Sequence, residues 1–414
     1  MRRILLLLTF ALAAAACGSD GEVVTAGDDA TALDSAAERS SFDESILVQD
    51  WVSGVNSAGW DFHKTLEGNA VSSPISIGTA FSFARAGASG DSGEILDSIF
   101  GFDAGLDNEN DKAANNVALT LAASSDGDTS LDVANRLFPD NDFQPKQEFV
   151  DVGARYYGAQ VQVIDTADGD AAAADINSWV NDQTRGLVPE IVQADSVVDR
   201  ALFLINTVYL NALWQTPFLP DLTVDADFTT DAGSTVTASF MRTHEPETRN
   251  FVSIENADAI ELPYSDGDLA MWIVVPSDVN GLAEVEASLT ADDLIAFPKD
   301  SRSGLVDLTM PKWEIELPPT DLFGWLCPLG LCPGAPFGEI ASSIFIDSAV
   351  HGAKIIVDEN GTEAGAATAI GFNESAAPLP DLQVVADRPF LWTILHQPTN
   401  TLVFVGRVTD PTDG

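Results

Sequence analysis

Four histidines (His63, His244, His351 and His396) and three cysteines (Cys17, Cys327 and Cys332) are the residues from which a metal site or a nucleophilic centre would be built. No histidine has a second ligand at metal spacing, so neither a metal nor a cofactor is expected. The chain carries no glycine-rich phosphate loop, no dinucleotide fingerprint, no zinc-protease helix signature and no nucleophile elbow. A Ser-His-Asp triad stays open, because its members need not be adjacent in sequence. Cys327 and Cys332 flank Pro328-Leu329-Gly330-Leu331. In an exported protein they are expected to form a local disulfide worth at most about 2–3 kcal/mol, and without a nearby His pair they make a poor zinc site.

The informative chemistry lies in residues 357–389. After Val357-Asp358-Glu359-Asn360-Gly361 comes a run of small residues, Thr362-Glu363-Ala364-Gly365-Ala366-Ala367-Thr368-Ala369, without aromatics or proline. Asn373, Glu374, Ser375, Ala376 and Ala377 come next, and Pro378-Leu379-Pro380 turns the chain. An Ala-rich helix or a plain flexible loop does not account for small residues at both alternating phases beside threonine. A segment that lives both as a solvent loop and as a central strand does need this composition. Thr362, Ala364, Ala366 and Thr368 share one phase and would face a core after insertion, where charge or bulk is costly.

The elements that position this segment are set by patterning. The chain has 414 residues, 45% of them hydrophobic, which is enough for one large core. Its 64 acidic against 19 basic residues give a formal charge of −45, which repels nucleic acid and anionic membrane surfaces. Ile46, Trp51, Val55 and Phe62 recur at near-helical spacing, and 76–88 also reads as a helix. The apolar run 201–210 predicts a buried strand, while 224–241 and 259–276 alternate like strands, with a hairpin signal at Asp266-Gly267. Helices dominate the first half and strands the second, so the class is α+β.

The N-terminus reads as an export signal. Arg2 and Arg3 precede an apolar stretch, and Ala13 to Ala16 lead into Cys17. The stretch is too short to span a bilayer. The alanine run ending in Cys resembles the lipobox of bacterial lipoproteins, with Ala14 where Leu is usual; the other reading is an ordinary secretory signal cut after Ala16. Residues 1–16 are thus expected to be a signal peptide and 17–44 a flexible tether, too poor in apolar side chains to bury a core. Residues 45–414 are expected to form a single domain. The protein is expected on the outer face of the cell membrane through a lipidated Cys17, or secreted.

The string EN-GTEAGAATA from Glu359 resembles the hinge of the serpin family, usually EE-GTEAAAATA. Other pieces occur in family order: Asn69 with Ser73-Pro74-Ile75-Ser76; Val133 to Phe138; Tyr156-Tyr157-Gly158-Ala159; Ile176-Asn177-Ser178-Trp179-Val180; Ile205-Asn206-Thr207-Val208-Tyr209 leading to Trp214; Glu261-Leu262-Pro263-Tyr264; Val350-His351; Asp387-Arg388-Pro389-Phe390-Leu391; and Val405-Gly406-Arg407-Val408.

The resemblance implies three β-sheets, one of them a large central sheet, with eight or nine helices and an exposed reactive-centre loop over about 359–386. It implies a monomeric suicide inhibitor of serine proteases and no enzyme activity. Glu359, Gly361, Thr362, Glu363, Ala364, Gly365, Ala366, Ala367 and Thr368 would form the hinge. Ser73, Ser76, Asn206, Trp214 and His351 would be structural residues beneath it. Counting forward from Glu359 places the scissile bond at Ser375-Ala376, with Glu374 or Ala377 bordering the neighbouring alternatives. A small residue before that bond points to elastase-like or subtilisin-like targets. A Glu-specific or cysteine protease and a non-inhibitory scaffold are the alternatives. Gly365 departs from the family alanine, and the Cys327/Cys332 stretch departs from a plainer helix and loop.

Overall fold

The computed structural model describes residues 35, 37–102, 109–125, 129–346, 348–363 and 379–413. Local signals decide where its helices begin. Ser73 caps helix Pro74–Gly87 by accepting from the Ser76 amide, with Pro74 in the first turn. Asp168 caps Gly169–Gln183 in the same way, and Thr290 with Asp293 forms a reciprocal box at Ala291–Asp300. Helix Gln49–His63 buries Trp51, Val55 and Phe62, as their spacing requires. Ten α-helical segments occur among the described residues. Two of them, Ala194–Val197 and Phe323–Leu326, have only four residues each, which leaves eight longer ones.

The strands form sheets of ten, six and two strands. Strand Leu269–Pro276 lies within the ten-stranded sheet and is buried at every position, which explains its continuous apolar run. The six-stranded sheet runs in the order Trp313–Asp321, Val350–Val357, Gly361–Thr362, Leu202–Leu213, Thr129–Pro139, Gln160–Val161. Its longest ladder joins Thr129–Pro139 to Leu202–Leu213, from Thr129 opposite Ala212 to Pro139 opposite Leu202.

Two expectations need correction. Leu202–Leu213 is only half buried: Phe203 and Ile205 pack under Trp179 of helix Gly169–Gln183, while Leu202, Leu204 and Asn206 border a cavity on the other face. The tether ends earlier than residue 44. The Ser40 amide donates to the Arg155 carbonyl at 2.8 Å, and Arg39 Nε to Asn115 Oδ1 at 2.7 Å. Asn116 both accepts from the Asp43 amide and donates to the Asp43 carbonyl, at 3.0 and 2.8 Å. Asn115 and Asn116 are buried on helix Glu109–Ala123, and their amides find partners in the segment that composition marked as unattached. The signal peptide and Cys17 lie outside the described residues.

Candidate functional site: a half-entered strand and its latch

The chain leaves strand Val350–Val357, turns through 358–360 and comes back as Gly361–Thr362. Asp358 Oδ1 holds the turn by accepting from the Asn360 and Gly361 amides at 2.7 and 3.3 Å. A Cβ at position 361 would overlap the Ala212 carbonyl oxygen, so only glycine lets the chain approach this closely. Thr362 pairs antiparallel with Val357 on one side and with Ala212 on the other. Those two neighbours therefore run parallel to each other. At this level they stand two strand spacings apart, roughly 10 Å. Further along, among the described residues, no backbone hydrogen bond joins Leu202–Leu213 to Val350–Val357. Two cavities lie between them, and both are bordered by Ser76, Asn206 and His351.

Side chains latch the entering segment. The Glu359 carbonyl accepts from the Phe218 amide at 2.8 Å. Its carboxylate accepts from Thr223 Oγ1 at 2.7 Å and meets Lys312 Nζ at 3.3 Å. Burial alone would raise the Glu359 pKa, but the Thr223 hydrogen bond and the Lys312 charge hold it below the ordinary carboxylate value. Trp214 donates its amide to the Asn360 carbonyl and its indole Nε1 to the Asp358 carbonyl, at 2.8 and 3.0 Å. It stacks on Tyr264 with ring centroids 4.6 Å apart. The Tyr264 hydroxyl lies 2.5 Å from Thr362 Oγ1, in a fully buried contact.

Glu363 is the last residue described before position 379. Its backbone has φ 53°, the left-handed region that non-glycine residues rarely occupy. Its amide donates to the Ile356 carbonyl, and its buried carboxyl Oε2 has no hydrogen-bond partner among the described residues. Desolvation pushes its pKa up to about 7, with Tyr209 and Arg185 partly opposing. Arg185 sits 4.3 Å over the Tyr209 ring and pairs with Asp132 at 3.0 Å.

Below the latch, a chain of buried polar groups ties helix Pro74–Gly87 to the strands. The Ser73 amide donates to His351 Nε2 at 3.2 Å, and Ser73 Oγ donates to the Val403 carbonyl at 2.7 Å. Ser76 Oγ donates to Asn206 Oδ1 at 2.5 Å, and Asn206 Nδ2 to Asn135 Oδ1 at 2.7 Å. Burial lowers the His351 pKa to about 4, which leaves a neutral imidazole acceptor.

The structure thus brings Ser73, Ser76, Asn206 and His351 into one network, and Glu359, Gly361, Thr362, Glu363 and Trp214 into another. Ala364, Gly365, Ala366, Ala367, Thr368, Glu374, Ser375, Ala376 and Ala377 lie outside the described residues. Tyr264, Lys312, Thr223 and Asn135 were not singled out from sequence. Tyr264 had a signal, as the last residue of the Glu261-Leu262-Pro263-Tyr264 string. From residue 379 the chain is described again, and Leu382–Val385 pairs parallel to Arg302–Pro311.

A Ser-His-Asp cluster does occur, but with the wrong connectivity for a nucleophile. Ser124 Oγ meets His396 Nε2 and Asp268 Oδ2, both at 2.9 Å, whereas His396 Nδ1 faces Thr399 Oγ1 at 2.7 Å. The carboxylate therefore orients the serine and not the imidazole, and both serine and histidine are buried. Cys327 and Cys332 are joined by a disulfide. Among the described residues no group of three His, Cys, Asp or Glu side chains is placed to hold a metal, and no helix is long and apolar enough to cross a membrane.

Comparison with known proteins places this geometry. The family profile described as Serpin (serine protease inhibitor) matches residues 61–411. A mouse (Mus musculus) protein named leukocyte elastase inhibitor A is 30% identical over 360 residues, covering 83% of this chain and 93% of its own. Human (Homo sapiens) antithrombin-III is 30% identical over 360 residues, covering 83% and 76%. The solved structure of the thermophilic serpin Tengpin in its native state superposes with a TM-score of 0.77 at 24% identity, covering 90% of this chain and 96% of that one.

Proposed function

The chain belongs to the serpin family, and from that premise we propose that it is a suicide inhibitor of a serine protease and not an enzyme. The observation that carries this reading is the seating of Gly361–Thr362 between two strands that are not bonded to each other lower down. A target protease attacks the Ser375-Ala376 bond and becomes esterified to Ser375, releasing the new amine at Ala376. The freed arm enters the central sheet as a strand and carries the protease with it. Some 16 residues at about 3.3 Å each correspond to roughly 50 Å of travel. Distortion of the protease's active site then stops deacylation. The inhibitor itself supplies no metal, cofactor or catalytic base.

The target class is set by the bait. No Arg or Lys occurs between Lys354 and Arg388, so a trypsin-like pocket would keep an unpaired, desolvated carboxylate. A small residue at Ser375 suits elastase-like and subtilisin-like enzymes. A second reading, a Glu-specific protease cutting after Glu374, rests on that glutamate standing beside the bond. Export rests on the N-terminal signal, and anchoring rests on lipidation of Cys17; a monomer is the assembly this mechanism needs.

Mixing the protein with elastase, subtilisin and trypsin tests the reading. An SDS-stable complex is expected with elastase or subtilisin, together with a released fragment whose first residue is Ala376. A fragment beginning at Ser375 moves the target to the Glu-specific class. Cleavage of every bait bond with no complex leaves a non-inhibitory protein.

A further inference from the structure

The turn that leads into the hinge carries an Asn-Gly pair, Asn360-Gly361, and Asn360 stands where the usual hinge string has Glu. Such a pair has a chemistry of its own. The Gly361 amide nitrogen can attack the Asn360 side-chain amide at Cγ, and glycine has no Cβ to hinder the approach. One N–C bond forms in a five-membered imide, and the side-chain nitrogen leaves as ammonia with the amide proton. Water then opens the imide at either carbonyl. One opening gives Asp; the other gives isoaspartate, in which the main chain runs through the former side chain. The sequence holds one other Asn-Gly pair, Asn280-Gly281, with Asn280 exposed just ahead of helix Leu282–Ser288.

Asn360 is half-buried, and the seated hinge holds it away from ring closure. Closure requires rotation about the Asn360 Cα–C bond. That rotation takes the Asn360 carbonyl off the Trp214 amide, at 2.8 Å, and the Gly361 amide off Asp358 Oδ1, at 3.3 Å. The Gly361 carbonyl is held as well, accepting from the Asp358 amide at 3.0 Å. Yet only the two residues Gly361–Thr362 carry the pairing with both neighbouring strands. A seat this short opens locally at far less cost than the whole fold.

The product does not fit back. Isoaspartate adds one main-chain carbon to a turn that Asp358 and Gly361 already close on each other. The register that sets Thr362 opposite Val357 and Ala212 has no slack for it, because a Cβ at 361 would already overlap the Ala212 carbonyl. The carbonyl that Trp214 holds becomes a free carboxylate branching from the chain. It adds a negative charge to a turn that carries Asp358 and Glu359.

We propose that Asn360 is a self-modification site: it cyclises with the Gly361 amide when the hinge unseats, and the resulting isoaspartate makes the unseating permanent. The modification rests on the turn alone, and its consequence for inhibition rests on the loop-insertion reading above.

The test ages wild type, Thr223→Val, Lys312→Ala and Asn360→Gln in mildly alkaline buffer. Peptide mapping follows deamidation at Asn360 and Asn280, and labelling with an isoaspartate methyltransferase marks the isoaspartate. Thr223→Val and Lys312→Ala each remove one partner of the Glu359 carboxylate and leave the Asn-Gly pair intact. In native wild type Asn360 is expected to deamidate about tenfold or more slowly than Asn280, and in urea the two rates should converge. Either latch variant should speed Asn360 severalfold and leave Asn280 unchanged. In the modified fraction the amides of Trp214 and Glu363, bonded to the Asn360 and Ile356 carbonyls, should exchange faster. Inhibitory capacity should fall in step with isoaspartate at Asn360. Asn360→Gln, whose longer side chain closes a ring far more slowly, should keep its own starting capacity. Equal rates at the two pairs in the native protein, or no acceleration in either latch variant, would overturn the gating by the seat. Isoaspartate at Asn360 with unchanged exchange at Trp214 and Glu363 would overturn the unseating. If the fresh protein traps no protease, the inhibitor reading fails, and the mapping and exchange results still decide the modification site.

Discussion

At Glu363 a strained backbone and a half-buried carboxyl meet where the hinge enters the sheet. Its pKa, raised from 4.5 to about 7, makes hinge docking depend on pH. A carboxyl with a raised pKa favours the docked state when it is protonated. Docking is therefore fully supported below about pH 4.5 and is weakened as pH rises through 7. Because the group is only partly buried, the effect after solvent screening is on the order of 1 kcal/mol. Trp214, bonded to the turn at Asp358 and Asn360, reports on it. Its fluorescence is expected to shift between pH 5 and 8 in the intact protein and to lose that titration in Glu363→Gln. An unchanged titration in the variant would assign the shift to another group. At this scale the small-residue run made Gly361 and Thr362 legible in the sequence. Their partners were not: Lys312, Thr223 and Tyr264 lie 47, 136 and 98 residues away from the hinge residues they hold. No local pattern encodes a contact of that separation.

Among the elements, helix Glu109–Ala123 and the segment over 39–43 show where composition misleads. The segment is polar, and composition alone predicts a free tether. It docks by hydrogen bonds to Asn115 and Asn116, which leave no trace in hydropathy. Removing residues 17–44 is expected to lower the Tm by a few degrees, the equivalent of about 1–2 kcal/mol of lost bonds. Amide exchange in helix Glu109–Ala123 should speed up in the truncated protein; an identical exchange profile would mean that the contacts carry no stability. Strand Leu269–Pro276 is a second case. Residues 259–276 read as alternating strands, yet this one is buried at every position, so the sequence reading understated its burial. For Leu202–Leu213 the continuous apolar run overstated burial, because its second face borders a cavity that only the separation from Val350–Val357 creates.

For the molecule as a whole, strands Leu202–Leu213 and Val350–Val357 are joined among the described residues only through Gly361–Thr362. Cutting the bait between 370 and 378 is therefore expected to raise the Tm by roughly 20 °C or more, as each entering residue gains ladder bonds on both sides. The comparison needs fixed ionic strength, since a net charge of −45 makes every compact form salt-dependent. An unchanged Tm would mean a sheet that does not accept the arm. The α+β class was legible from the order of helices and strands. The parted strands were not, because long-range pairing decides them. On the proposed mechanism Gly361–Thr362 would also change the kinetics of strand entry. In a zipper, starting is slow and extending is fast, since the first contacts order the most chain for the fewest bonds. Here the first rung is already in place, antiparallel to both rails. On the proposed mechanism the cut arm would have no entrance to find and would need only to extend, so that trapping would enter its race against deacylation past the slowest step.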